Sequence, residues 1–401
     1  MRFFKHVALA ASVAALGAAC TTIEPEVAQK SANATAEAAP MAEEPWAMAA
    51  KDRSGGPDGI IQATPMPSAP LDRSVRLDRI VFGSCVQQNE DQSMWDQLTA
   101  VKPQLSLFIG DNVYGDVRSR DQSLPELKAA YMRLGQSEPF ARFRAAAPLL
   151  TTWDDHDFGL NDAGGDYAYK EQSEELFEYV WALPEDDARR AREGIYGSWM
   201  LGPKGEQVHL IMLDTRYFRS PLMETDDRGA KGKERYLPDP DPAKTMLGDA
   251  QWVWLEAELE KPADLTILVS SIQVIAEGHG WEAWRTLPTE RQKLYDLLSR
   301  RNTDNLIVLS GDRHAGGLYQ KDLSNGQTLT EITSSSINLP GARWREQSGE
   351  TYVEPGPNRL GTMEYEANFG LIGIDWEQGL FSLSLRGEAG EEMQSVVVNF
   401  R

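Results

Sequence analysis

Six short apolar runs, each stopping at a loop of acidic, histidine or hydroxyl residues, set the tightest limit on how this chain folds. Arg79-Ile-Val-Phe-Gly-Ser-Cys85, Leu105-Ser-Leu-Phe-Ile109 and Pro148-Leu-Leu-Thr-Thr-Trp153 are the first three. Val208-His-Leu-Ile-Met-Leu213, Leu265-Thr-Ile-Leu-Val269 and Asn305-Leu-Ile-Val-Leu309 follow. Apolar residues at three- and four-residue spacing between them predict helices over 125–134, 170–183, 249–260 and 289–301. The last opens as a capping box, with Thr289 three residues before Gln292. Buried strands alternating with helices predict a mostly parallel sheet covered on both faces. Past Thr328 the helical pattern stops, and 369–376, 380–385 and 396–400 read as strands of a meander.

The 401 residues, 41% hydrophobic and 25% charged, suffice for one large domain with appendages. A net charge of −21 argues against a nucleic-acid-binding surface, because that affinity comes from basic side chains neutralising phosphates. Two cysteines allow at most one disulfide. Arg2 and Lys5 precede an apolar, alanine-rich run ending at Cys20, which is the anatomy of an export signal over residues 1–20. Leu16-Gly-Ala-Ala-Cys20 resembles a bacterial lipobox, with the leucine one place further upstream than usual. Both an outer-membrane lipoprotein and an unlipidated periplasmic protein are consistent with it. Membrane contact is expected through N-terminal lipid only. Residues 21–75, rich in Ala, Pro, Glu, Ser and Met without apolar periodicity, read as a disordered tether. Residues 76–401 are expected to form the catalytic domain.

In open α/β sheets, ligands gather outside the carboxyl ends of the strands. Those ends carry Cys85; Asp111 with Tyr114; Asp154, Asp155, His156 and Asp157 with Asn161 and Asp162; Asp214 with Arg216; and Asp312, Arg313 and His314. One aspartate after a strand is ordinarily a turn former, the expected role of Asp162 and Asp214. Five such clusters are too many for caps. Converging carboxylates repel or take up protons unless cations sit among them. The economical solution is a dinuclear metal site, able to activate water and clamp a phosphoryl oxygen.

The blocks Phe82-Gly-Ser-Cys85, Ile109-Gly-Asp-Asn-Val-Tyr114, Thr152-Trp-Asp-Asp-His-Asp157, Leu213-Asp-Thr-Arg216, Gly248-Asp-Ala-Gln-Trp252 and Leu309-Ser-Gly-Asp-Arg-His314 together resemble the PhoD-like alkaline phosphatases. That family lies within the calcineurin-like metallophosphoesterases. His279-Gly-Trp-Glu-Ala-Trp284 is similar to one of its subgroups. The resemblance implies two facing mixed β-sheets flanked by helices, a four-layer α/β/β/α sandwich. It implies hydrolysis of small phosphate mono- or diesters by a metal-bridging hydroxide. It implies Fe(III) and Ca(II), with Zn or Mn as substitutes. Cys85, Asp111, Tyr114, Asp155, Asp312 and His314 are the implied metal ligands, with Asp111 able to bridge. His156 is the implied proton donor, Arg216 and Arg313 the implied phosphate-holding arginines, and Asp154 an outer partner orienting His156. His279 and Asn161 stand as further outer partners. Two alternatives stay open at this point: a phospholipase D-type phosphodiesterase, and a non-catalytic lipid-anchored envelope protein. The segments 118–142, 219–244 and 339–366 are expected to wall the pocket.

Overall fold

The computed structural model describes residues 62–300 and 305–400, so the expected signal and lipobox lie outside the described residues. The parallel strands divide between two sheets rather than forming one. In the six-stranded sheet the order is Glu392–Asn399, Leu380–Gly387, Asn368–Asp375, Arg79–Gly83, Leu105–Ile109, Leu149–Thr152, and only the last three are parallel neighbours. In the seven-stranded sheet it is Arg359–Glu364, Gly316–Asp322, Thr328–Ser334, Leu306–Ser310, Leu265–Val269, Val208–Met212, Gly197–Leu201. There the strands Thr328–Ser334, Leu306–Ser310, Leu265–Val269 and Val208–Met212 are parallel neighbours.

Side-chain alternation explains why both sheets read as continuous apolar runs. Ile80, Phe82, Leu107 and Ile109 of one sheet meet Leu210, Met212, Ile267, Val269, Ile307 and Leu309 of the other in a single core cluster. The intervening Val81 and Phe108 face the opposite way, onto the helices Met94–Ala100, Pro125–Gly135, Glu138–Ala146 and Lys170–Val180. Ile211, Leu213, Leu268 and Val308 likewise pack on the helices Gly248–Glu258 and Pro288–Ser299. Successive residues of a strand point to opposite faces, so a strand covered on both sides carries no polar alternation. The result is a helix–sheet–sheet–helix sandwich, as the family resemblance implies.

Three expectations need correction. The helix at Pro288–Ser299 starts on proline, not on a capping box: Thr289 Oγ1 donates to the Pro240 carbonyl, and Gln292 donates to Asp296. A helix at Gly341–Ser348 stands past Thr328, where no further helix is expected, and it buries none of its side chains, so it carries no apolar stripe to find. Residues 62–75, assigned to the tether, belong to the folded body. Ala63 and Met66 are buried in the first core cluster. Met66 N donates to the Val180 carbonyl at 2.7 Å, and Arg144 Nη1 donates to the Pro67 carbonyl at 2.6 Å.

Candidate metal centre

Six of the parallel strands deliver their carboxyl ends to one place. Thr152 Oγ1 donates to the Leu213 carbonyl at 3.1 Å, crossing from one sheet to the other. Ser271, after Val269, accepts the Gly311 N–H at 2.9 Å and donates through Oγ to Asp154 Oδ1 at 2.6 Å. Each turn out of a strand is sharp. Cys85, Asp111, Asp312 and His314 all adopt positive φ, at 59°, 48°, 70° and 49°. Such left-handed conformations cost side-chain-bearing residues of order 1–3 kcal/mol and cluster where function overrides local preference.

Asp111 stands at the centre. Its Oδ2 accepts from the Tyr114 hydroxyl at 3.1 Å and from Cys85 Sγ at 3.4 Å. Tyr114 OH in turn lies 3.2 Å from His314 Nε2, while His314 Nδ1 donates to the Leu339 carbonyl at 2.8 Å. That backbone partner leaves Nε2 as the lone-pair nitrogen facing the site. Burial holds the His314 imidazole down to about 4, so it stays neutral. On the other side of Asp111, ligand atoms of Asp154, Asp155 and Asp312 all lie within 4.8 Å of it and of one another. Four groups of potential ligands occur among the described residues, and Asp111 belongs to three: with Cys85 and His314, with Asp155 and His156, and with Asp154, Asp155 and Asp312.

These residues fit cations. Asp154 Oδ2 is buried with no hydrogen-bond partner. Burial, then neighbouring carboxylates, pushes Asp111 and Asp312 well above the usual carboxylate range. Burial raises Asp154 to about 7 against the pull of Arg216. Burial and the Asp111 carboxylate also push the Cys85 thiol and Tyr114 phenol up. A cation among these donors reverses every one of these shifts. The mixture of thiolate, phenolate, imidazole and carboxylate suits a trivalent or d-block ion on the Cys85 side. The all-carboxylate side suits a hard divalent ion.

The fourth group, Asp155 with Asp162 and Glu282, is different because arginines already neutralise it. Asp162 pairs with Arg235 Nη1 at 2.5 Å, and Glu282 with Arg216 Nη1 at 2.5 Å and Arg219 Nε at 2.9 Å.

The structure therefore brings Cys85, Asp111, Tyr114, Asp155, Asp312 and His314 together, with His156 beside them. It places two other residues differently from the sequence reading. Arg216 is wholly enclosed between Asp154, at 2.5 Å, and Glu282, so its guanidinium braces carboxylates and offers nothing to a phosphate. Asp154 accordingly holds Arg216 and Ser271, not His156. The partner of His156 is Asp116, whose Oδ1 lies 3.0 Å from Nδ1 and also accepts the Asn161 N–H at 2.8 Å. Asp116 follows Tyr114 by two residues, and its distance from position 156 in the chain hid the pairing. Asp157 caps the whole turn. Its carboxylate accepts the N–H groups of Asp111 at 3.1 Å, Asn112 at 3.3 Å and Asp154 at 2.7 Å. Asp214 is the turn former expected, accepting the N–H groups of Ile195, Arg216 and Tyr217. His279 is buried, 3.2 Å from Gln273 Oε1. Arg313 is part-exposed and pairs with Glu354 at 2.7 Å.

Alkaline phosphatase D of Bacillus subtilis (strain 168) is 24% identical over 70% of this chain and 52% of its own length. The chain thus spans about half the length of that curated relative. A solved structure of PhoD superposes with a TM-score of 0.61 at 17% identity, over 84% of this chain and 70% of that one. A purple acid phosphatase from yellow lupin (Lupinus luteus) seeds gives 0.51 at 10% identity, over 82% and 55%. Likeness at these identities speaks for the fold. The model of the PhoD-like phosphatase family matches residues 80–382, the span that holds all the clustered strand ends, and the chain belongs to that family.

Proposed function

We propose that the chain is a metal-dependent phosphoric ester hydrolase acting on small phosphate esters, in which Asp111 would serve the cation site on each side of it. The observation that carries this reading is the position of Asp111, a buried carboxylate common to three of the four ligand groups among the described residues. Cys85, Tyr114 and His314 would complete one side, and Asp155 with Asp312 the other. Cations held there supply Lewis acidity at phosphoryl oxygens and lower the pKa of nearby water.

The chain's own residues do the rest. His156 is the candidate proton donor to the leaving group. Burial pulls its pKa down; in the cation-free site Asp155, Asp116 and Asp111 more than offset this, and Asp116, which lies outside the ligand set, keeps favouring the protonated ring once cations neutralise the other two. Asp116 fixes Nδ1 and so commits Nε2 to the substrate side. Arg313, between two ligands, offers a guanidinium for phosphate oxygens, whose geometry it matches. Arg216 keeps Asp154 in place behind Asp155.

Iron(III) on the Cys85–Tyr114 side and calcium on the carboxylate side are the finer proposal, supported by the donor chemistry. Export by the N-terminal signal, as an outer-membrane lipoprotein or a periplasmic protein, is proposed from residues 1–20. The test is to purify the mature protein with its native metals and assay chromogenic phosphate mono- and diesters. Asp111→Ala should lose at least a hundredfold in kcat/KM and retain less metal; activity within twofold of wild type contradicts the reading. Tyr114→Phe should abolish a visible tyrosinate–iron charge-transfer band. A colourless active wild type removes the iron assignment and leaves hydrolysis standing.

A further inference from the structure

The three donors on the Cys85 side come from loops far apart in the chain, and two amide side chains tie those loops to one another. Gln88 is buried in the loop that begins at Cys85. Its Nε2 donates to the Tyr114 carbonyl at 2.9 Å, and its Oε1 accepts the Tyr114 N–H at 2.9 Å. Tyr114 stands beyond the strand Leu105–Ile109, where no ladder fixes its backbone. The carboxamide does for Tyr114 what an antiparallel neighbour does inside a sheet, bonding both backbone groups of one residue.

Asn338, also buried, makes the matching connection on the other flank of the same loop. Its Oδ1 accepts the Gln87 N–H at 2.8 Å, and its Nδ2 donates to the carbonyls of Gln87 at 3.0 Å and Asp91 at 2.9 Å. The Ile337 N–H donates to the Ser84 carbonyl at 3.1 Å. Residues 337–338 are thus fastened along residues 84–91, and the next carbonyl, that of Leu339, is the partner of His314 Nδ1. Two adjacent residues, Gln87 and Gln88, so carry the links to His314 and to Tyr114. The loop they share docks on Asp111, whose carbonyl accepts the Val86 N–H at 2.9 Å.

Satisfying buried backbone groups is the ordinary task of such amides. Here both links serve one flank of Asp111, the one where Cys85, Tyr114 and His314 gather. The carboxylate flank is held by bonds that involve neither amide. Asp155 accepts the N–H groups of His156 at 2.9 Å and Asp162 at 2.6 Å, and the Gly311 N–H ahead of Asp312 donates to the Ser271 carbonyl. Donors drawn from separate loops bind a cation tightly only when other bonds have already fixed their spacing.

We propose that Gln88 and Asn338 are positioning residues for the cation on the Cys85 side, holding its thiolate, phenolate and imidazole donors together without serving the carboxylate side. The inference rests on the metal-dependent reading proposed above.

The test adds cobalt(II) to the metal-free full chain carrying Cys20→Ser, so that Cys85 is its one cysteine. Cobalt bound by a thiolate shows a charge-transfer band in the near ultraviolet, and cobalt among carboxylates does not. Band intensity therefore reports the Cys85 side, and total bound cobalt after equilibrium dialysis reports both sides. Gln88→Met and Asn338→Ala should each weaken band-forming binding roughly ten- to hundredfold and leave band-silent binding as in wild type. An equal loss on both sides, or band-forming affinity unchanged in the two variants, overturns the proposal. Absence of the band in wild type removes the cation on the Cys85 side, and the proposal with it. A wild-type band with unchanged variants removes only the role of the amides and leaves the metal centre standing. A thermal melt identifies a misfolded Gln88→Met, for which Gln88→Asn substitutes: it keeps the amide, falls one methylene short of Tyr114 and should weaken the same side.

Discussion

Away from the strand-end cluster, one half-buried carboxyl is held far above its ordinary range. Glu174 lies on the helix Lys170–Val180, and its Oε1 is buried without a hydrogen-bond partner. Burial, then the neighbouring Asp214, pushes this carboxyl up to about 8. The unfolded chain ionises near 4.3, so between these values the native state binds the extra proton and stability falls as pH rises. Glu174→Gln removes that penalty. Its melting temperature should match wild type near pH 4 and exceed it increasingly from pH 5 to 8. A gain that is constant across pH, or a loss at pH 8, contradicts the assignment. The residues of the strand-end cluster were legible in the sequence because each lies in the loop that follows a buried strand. The roles of Asp116, Glu282 and Arg216 were not, since a pairing across 40 or more positions leaves no local pattern.

Strands of this fold announce themselves through unbroken apolar runs, and the four helices expected from periodicity occur within a few residues of their predicted limits. Elements without such a signal were missed. The strand Gly197–Leu201 alternates buried and half-buried residues at a sheet edge, and Gly341–Ser348 buries no side chain. The segment 62–75 was misread for a related reason, because a proline-rich stretch can dock by single anchors without any period. Met66 is its main anchor, 2% exposed and packed among the helices of the first core cluster. Met66→Ala should cost about 2–5 kcal/mol, the usual range for emptying a well-packed core site. A chain starting at residue 76 should melt well below one starting at residue 62. Equal melting temperatures for those two chains would return the segment to the tether.

Two sheets facing each other across one apolar core leave their parallel strand ends as the place where chemistry can assemble. The price is a concentration of negative charge that the fold alone does not neutralise. Cation binding is therefore expected to stabilise the whole molecule, by about 2.7 kcal/mol when free metal exceeds its dissociation constant a hundredfold. Chelation should lower the melting temperature, and readdition should restore it. An unchanged melt would mean that Asp111, Asp154 and Asp312 accept their burial as protonated acids. The most direct measurement is anomalous X-ray scattering from crystals of the metal-loaded protein. The account predicts two cation peaks, one on each side of Asp111, the first reached by Cys85, Tyr114 and His314 and the second by Asp155 and Asp312. A single peak that leaves Asp111 unligated, or none within the strand-end cluster, would contradict it.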